Sequence, residues 1–145
     1  MDKPTHHDAE LILKLYELRR EERMRKARNW LAGYKVGTLA EHQAACPPGS
    51  DADASFRMVT SYWDMAASLV TSGALNQELF LASGGELLFI WTKISPLVQE
   101  TRQALGMPRY LGHMEQVAQL QIDNMNKANP KAYEAMVARV RAMGA

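Results

Sequence analysis

The sequence predicts an all-α protein, an irregular bundle of about five to seven helices opened by a long N-terminal one. Three observations carry that prediction. Apolar residues recur at helical spacing along nearly the whole chain, cap signatures mark where helices start and stop, and no segment alternates apolar and polar residues as a half-buried strand would. No repeat of 20 to 50 residues is visible, so a solenoid is not expected.

The first helix is expected to start at Thr5, whose hydroxyl can cap while Asp8 reaches back as in a capping box, and to run to Leu31 with Gly33 as its stop. Leu11, Ile12, Leu15 and Leu18 form its apolar stripe. Arg19, Arg20, Glu21, Glu22 and Arg23 interrupt it before Met24, Ala27, Trp30 and Leu31 resume. Glu10 with Lys14, Glu21 with Arg25 and Glu22 with Lys26 stand in the favoured i,i+4 order.

Thr38-Leu39-Ala40-Glu41 is a full capping box for a short helix that must end by Pro47-Pro48-Gly49. Residues 47–55 read as an internal loop of one domain spanning 1–145. From about Asp53 the helical period returns. Phe56, Val59, Trp63, Ala66 and Val70 lie on one stripe, Met58, Tyr62, Met65 and Leu69 on the next, and Arg57, Ser61, Asp64, Ser68 and Thr71 on a narrow polar strip. Such breadth implies a central helix packed on more than one side.

Gly73 ends that helix and Asn76 caps a short successor. Ser83-Gly84-Gly85-Glu86 has the paired glycines of a phosphate-cradling loop, but the S-x-x-E spacing and the absence of a following Lys-Ser or Lys-Thr favour a capping box. The run Leu87 to Trp91 is apolar all round, and Ile94, Leu97, Val98 and Leu105 continue it as the most buried helix. Pro96 inside it predicts a kink or break. Gly106-Met107-Pro108 separates it from a helix bearing Leu111, Met114, Val117, Ala118, Ile122 and Met125. Asn129-Pro130 reads as the cap and first turn of the last helix, with Tyr133, Met136, Val137, Val140 and Met143 on one face.

Composition narrows function mainly by exclusion. The chain has 145 residues, of which 47% are hydrophobic and 23% charged, and its 17 basic and 16 acidic side chains leave a net charge of +1. That is the balance of a folded domain with no global field for nucleic acid or an anionic membrane. The single Cys46 cannot form an internal disulfide, no secretory leader is visible at the N-terminus, and no stretch is long and apolar enough to span a membrane. A cytoplasmic setting is the simplest expectation.

No catalytic motif is present. No glutamate has a histidine three residues later, as a di-iron bundle requires, and there is no G-x-S-x-G, H-E-x-x-H or P-loop. His42 and Cys46 stand at i,i+4 but lack a third metal ligand, and His113 lacks a partner that would make it a general base. The sequence therefore assigns no catalytic residue, no metal and no cofactor.

Two features remain. Asp64, beside Trp63 on a broadly apolar helix, would line a pocket between central helices with Arg57, Tyr62 and Trp91 if its strip were enclosed. If the strip faces water, Asp64 is a solvated partner of Arg57. Arg19, Arg20 and Arg23 belong to a basic stretch about 15 Å long if helical, open to an acidic partner. Interspersed glutamates and the near-neutral net charge disfavour nucleic acid there.

The stretches Leu15-Tyr16-Glu17-Leu18-Arg19-Arg20-Glu21-Glu22 and Tyr62-Trp63-Asp64-Met65-Ala66-Ala67-Ser68-Leu69-Val70, with Gly73-Ala74-Leu75 and Glu78-Leu79-Phe80, resemble patterns in small helical bacterial proteins of an uncharacterised, domain-of-unknown-function kind. The resemblance covers about half the chain, implies an all-helical bacterial protein and carries no activity or site residue. The leading expectation is a non-enzymatic helical interaction module that binds a protein partner or itself as a homo-oligomer through an aromatic and methionine-rich face. The alternative is a small-molecule binding protein or enzyme with its pocket near Asp64.

Overall fold

The computed structural model describes residues 3–143. Among the described residues it contains eight helices and no strand: α1 His6–Arg19, α2 Glu22–Gly33, α3 Leu39–Ala45, α4 Asp51–Thr71, α5 Gln77–Ser83, α6 Gly85–Leu105, α7 Gly112–Ala128 and α8 Ala132–Met143. The all-α class is as expected, but the count exceeds five to seven. The main reason is that the expected long first helix is two helices meeting at a corner.

The corner has a local cause. Glu21 adopts φ −57° and ψ 143° and turns its carboxylate onto the backbone N–H groups of Arg23 and Met24, at 2.9 and 3.0 Å, so it caps α2 instead of continuing α1. Its hydrogen bonds to those two amides hold the Glu21 carboxyl below the usual glutamate range. The bend lets Leu15 of α1 and Met24, Ala27 and Leu31 of α2 all enter the core. Of the expected surface pairs, Glu22 with Lys26 forms at 3.4 Å, and Lys14 is drawn to Glu17 at 3.9 Å.

Several helix starts lie where their signatures place them. Thr5 and Thr38 each form a complete capping box, Asn76 accepts from Leu79 at 2.8 Å, and α2 ends at Gly33. Elsewhere the start differs. Ser50 caps α4 through Asp53, so the loop expected over 47–55 is shorter and its second half is the first turn of α4. Asn129 closes α7 and also makes the cap contact expected ahead of the last helix, its Oδ1 accepting the amide of Lys131 at 3.1 Å, while the amide of Tyr133 early in α8 is met by Asn126 of α7 at 3.1 Å. Pro96 does not break α6, which runs through it.

Helix α4 is the axis of the bundle, packing broadly on α7 and α2, while α6 packs on α7 and α8. Phe56, Val59, Trp63, Ala66 and Val70 face inward as the first stripe predicts. The adjoining Met58, Tyr62 and Leu69 are only partly covered. From α6, Leu87, Leu88, Ile90, Trp91, Ile94, Leu97 and Val98 join the same core, whereas Leu105 at its end is exposed.

One glycine is demanded by packing. A Cβ on Gly84, between α5 and α6, would stand 2.6 Å from the ring of Phe80, itself 2% exposed. Gly84→Ala should therefore destabilise the fold by about 1–3 kcal/mol, the usual range for overpacking, read as a lower urea midpoint at an unchanged slope.

Candidate functional site

A part-buried polar cluster that joins several helices centres on Glu86, in the first turn of α6. Its carboxylate receives Arg28 Nη2 at 2.7 Å on Oε1 and Arg28 Nε at 2.8 Å on Oε2, a bidentate pair, and Trp63 Nε1 also donates to Oε2 at 3.1 Å. Both partners of the ion pair are 24% exposed, sheltered enough to hold a fixed geometry. Arg28 spends its remaining reach on the carbonyl of Arg19 at 3.1 Å, which closes the end of α1. Four helices are thereby tied together.

Glu86 does not fill the capping-box role expected from Ser83-Gly84-Gly85-Glu86. Ser83 is the last residue of α5 and only Gly84 separates α5 from α6, so Ser83 is not free to cap, and α6 starts with no side-chain cap bond. The spacing drew attention to the right residue for a local role it does not have.

Asp64 matches neither simple alternative. It is partly buried, and its Oδ1 accepts the backbone N–H of Met114 at 3.0 Å. Met114 is the third residue of α7, so a carboxylate on α4 serves as the N-cap of another helix. The residue in the cap position, Leu111, is buried in the left-handed region at φ 53° and supplies no cap of its own. Arg57, the partner expected for Asp64, pairs instead with Asp53 at 3.2 Å. Trp63 and Trp91 are buried in the core. Tyr62 packs edge-on to Trp63 at 4.9 Å and donates its hydroxyl to the Leu15 carbonyl; burial pushes that phenol up to about 12.

Arg57 and Tyr62 do share an open groove. Its volume is 680 Å³ and its walls are Leu18, Met24, Ala54, Arg57, Met58, Ser61, Tyr62 and Met65. The basic residues of the first stretch lie around the α1–α2 corner rather than along one continuous helix. Arg19 stacks over Tyr16 at 4.5 Å, Arg20 reaches the same ring at 5.9 Å, and Arg23 donates to Ser55 at 3.3 Å.

The His42 and Cys46 pair sits in an aromatic setting. The Tyr34 hydroxyl lies 2.9 Å from His42 Nδ1, and the His42 ring packs 4.4 Å from that of Phe56. Burial raises the Cys46 thiol and the Tyr34 phenol above their ordinary values and lowers His42, which disfavours a thiolate nucleophile. Among the described residues no group of three or more His, Cys, Asp or Glu is placed to hold a metal. His113 meets Thr71 Oγ1 at 2.8 Å on the surface.

Fold and polar interior together define a helical bundle whose inward-facing charged and amide groups bind helix ends and one another. The family model Domain of unknown function (DUF4760) matches residues 4–120, and the chain belongs to that family. No curated protein and no solved structure matches the chain. Among the described residues no helix is long and apolar enough to cross a membrane.

Removing Glu86 strands Arg28 and the indole N–H together. Glu86→Ala should cost about 2–3 kcal/mol, against about 1 kcal/mol for loss of the cap in Asp64→Ala; urea unfolding of the two variants beside the parent checks the order.

His42 also predicts a pH effect. Above pH 6.5, its ordinary value, the imidazole is neutral folded or unfolded. As pH falls from there toward the depressed folded-state value, the unfolded chain takes up a proton that the folded chain does not. Stability is lost across that window. His42→Gln should flatten the decline between pH 7 and 5 seen in parallel denaturation series.

Proposed function

We propose that the protein is a non-enzymatic helical interaction module that pairs with a second copy of itself through the face formed by α1, α2 and α4. The observation that carries this reading is the groove bounded by Leu18, Met58 and Met65, in which two apolar side chains stay open to water, Leu18 at 44% and Met65 at 40% exposure. Methionines suit such a surface because their flexible thioethers adapt to a partner's shape.

A second copy offers the complementary shape. On the outer side of α1, Leu13 is 68% and Tyr16 51% exposed. Helical spacing sets Glu10 and Glu17 on the same side as Leu13. That stripe is an apolar knob flanked by carboxylates. The groove is largely apolar, and the Arg57 that lines it is exposed and paired with Asp53. Because α1 contributes Leu18 to the groove and Leu13 to the knob, a two-fold arrangement would satisfy both copies at once.

The buried, unpaired Cys46 suits a reducing compartment such as a bacterial cytoplasm. The polar groups that looked most like chemistry, Asp64 and Glu86, have structural partners, which supports binding over catalysis.

Sedimentation equilibrium of the full chain should show a concentration-dependent dimer. Met65→Glu and Leu13→Glu should each shift it to monomer, by tenfold or more in dissociation constant, with helical circular dichroism retained. A parent protein that stays monomeric at hundreds of micromolar, or a dimer indifferent to both substitutions, would overturn the reading.

A further inference from the structure

A second cleft lies on different elements, between the α2–α3 connection, α6 and α8, with a volume of 420 Å³. Its charged lining residues are Lys35, Lys93 and Arg141, all cations, and Val36, Pro96 and Val140 contribute apolar wall. None of the three cations forms an ion pair among the described residues. Lys35 is felt by the Glu41 carboxylate, but that carboxylate bonds back to the amide of Thr38.

Lys93 is the unusual member. Only 9% exposed, it sits in the middle of α6 between the buried Thr92 and Ile94. Its Nζ donates to the carbonyl of Ala32, in the last turn of α2, at 3.1 Å. An ammonium carries three donors and a full charge. One carbonyl answers a single donor, and among the described residues no carboxylate pairs with the charge. A buried cation without a counter-charge is costly, and Lys93 lines a cleft that an anion can enter. Burial lowers the Lys93 ammonium from its ordinary value, as that lack of compensation requires.

We propose that this cleft binds a small organic anion, a carboxylate or phosphate on an apolar body, with Lys93, Lys35 and Arg141 around the anionic head and Val36, Pro96 and Val140 against the body. The volume lies within the range of roughly 300–1,000 Å³ usual for small-molecule sites. A carboxylate or phosphate supplies the counter-charge that Lys93 lacks, and the mixture of cationic and apolar lining selects an amphipathic anion over a bare ion. Val140 and Arg141 lie beyond residues 4–120, so α8 completes the site from outside the segment that the family model covers.

The test uses the full chain with four probes: octanoate, phenyl phosphate, inorganic phosphate and octanol, the last a neutral control. Calorimetric titration and thermal unfolding should show binding and a raised Tm with octanoate or phenyl phosphate, and the tighter of the two assigns the head group. Inorganic phosphate should bind at least tenfold more weakly, and octanol should do no better. Lys93→Met should lose tenfold or more in affinity for the preferred probe. Without ligand that variant should match or exceed the parent in Tm, because it removes an uncompensated buried charge. The double variant Lys35→Ala, Arg141→Ala changes two residues outside the core and reads the same loss should Lys93→Met fail to fold. No binding of either amphipathic anion at millimolar concentration, binding equal for octanol and octanoate, or affinity unchanged in the double variant would overturn the proposal.

Discussion

The bundle depends on the contact between Arg28 and Glu86. A guanidinium on α2 and a carboxylate at the start of α6 come from positions 58 residues apart and meet through two hydrogen bonds, while the Trp63 indole from α4 uses one of the same oxygens. A bidentate pair fixes orientation as well as distance. The same guanidinium also donates to the carbonyl of Arg19 at the end of α1, so one side chain links the corner that Glu21 caps to the start of α6. Everything downstream inherits that corner. Leu18 of α1 and Met24 of α2, on either side of it in sequence, both line the groove, and the far end of α2 presents the Ala32 carbonyl to Lys93.

Around this contact the molecule solves a general problem of helical bundles. Each α-helix end leaves backbone groups without intrahelical partners, and eight short helices multiply the ends. Here many are met by side chains of other helices. Asp64 of α4 takes an amide of α7, Asp8 of α1 takes the amide of Asn76, Gln121 of α7 donates to the Gly84 carbonyl, and Arg102 of α6 donates twice to the carbonyl of Tyr110. The first three satisfy a helix end from another helix, and the last ties the α6–α7 connection back onto α6. The lowered carboxyl of Asp8, held by the amides of Thr5 and Asn76, is the electrostatic trace of that double duty.

This division explains which parts of the structure the sequence reveals. Caps made within three residues of the helix they serve have a fixed spacing, so Thr5 with Asp8, Thr38 with Glu41 and Asn76 with Leu79 can be read directly. A cap supplied from 50 residues away, such as Asp64 on Met114, has no spacing to read. Asp64 could then be recognised as unusual on its apolar helix without its task being visible. Glu21 failed differently. Its i,i+4 neighbour Arg25 suggested a helical surface pair, but its carboxylate turns instead onto the amides of Arg23 and Met24. Glu86 sat in a valid local motif whose serine belonged to the preceding helix. Lys93 did leave a signal, a lone cation in the run from Leu87 to Val98, but its meaning depends on Lys35 and Arg141, which only the fold brings near.

Once the polar residues that hold helix ends are set aside, what remains unsatisfied is unevenly distributed. Of the large apolar side chains left open, Leu13, Tyr16, Leu18 and Met65 lie on α1 and α4, while Leu105, Met107 and Met143 lie at or just past the ends of α6 and α8. Uncompensated positive charge remains at the cleft of α6 and α8, on Lys93 and its neighbours. The two call for different partners, because apolar surface is relieved by another protein surface and a sheltered ammonium by an anion. They also lie on opposite ends of the same support, since α2 carries Met24 toward the groove and Ala32 toward the lysine. A change at the α1–α2 corner would therefore reach both sites through the placement of α2, whereas a change at either site alone need not disturb the corner.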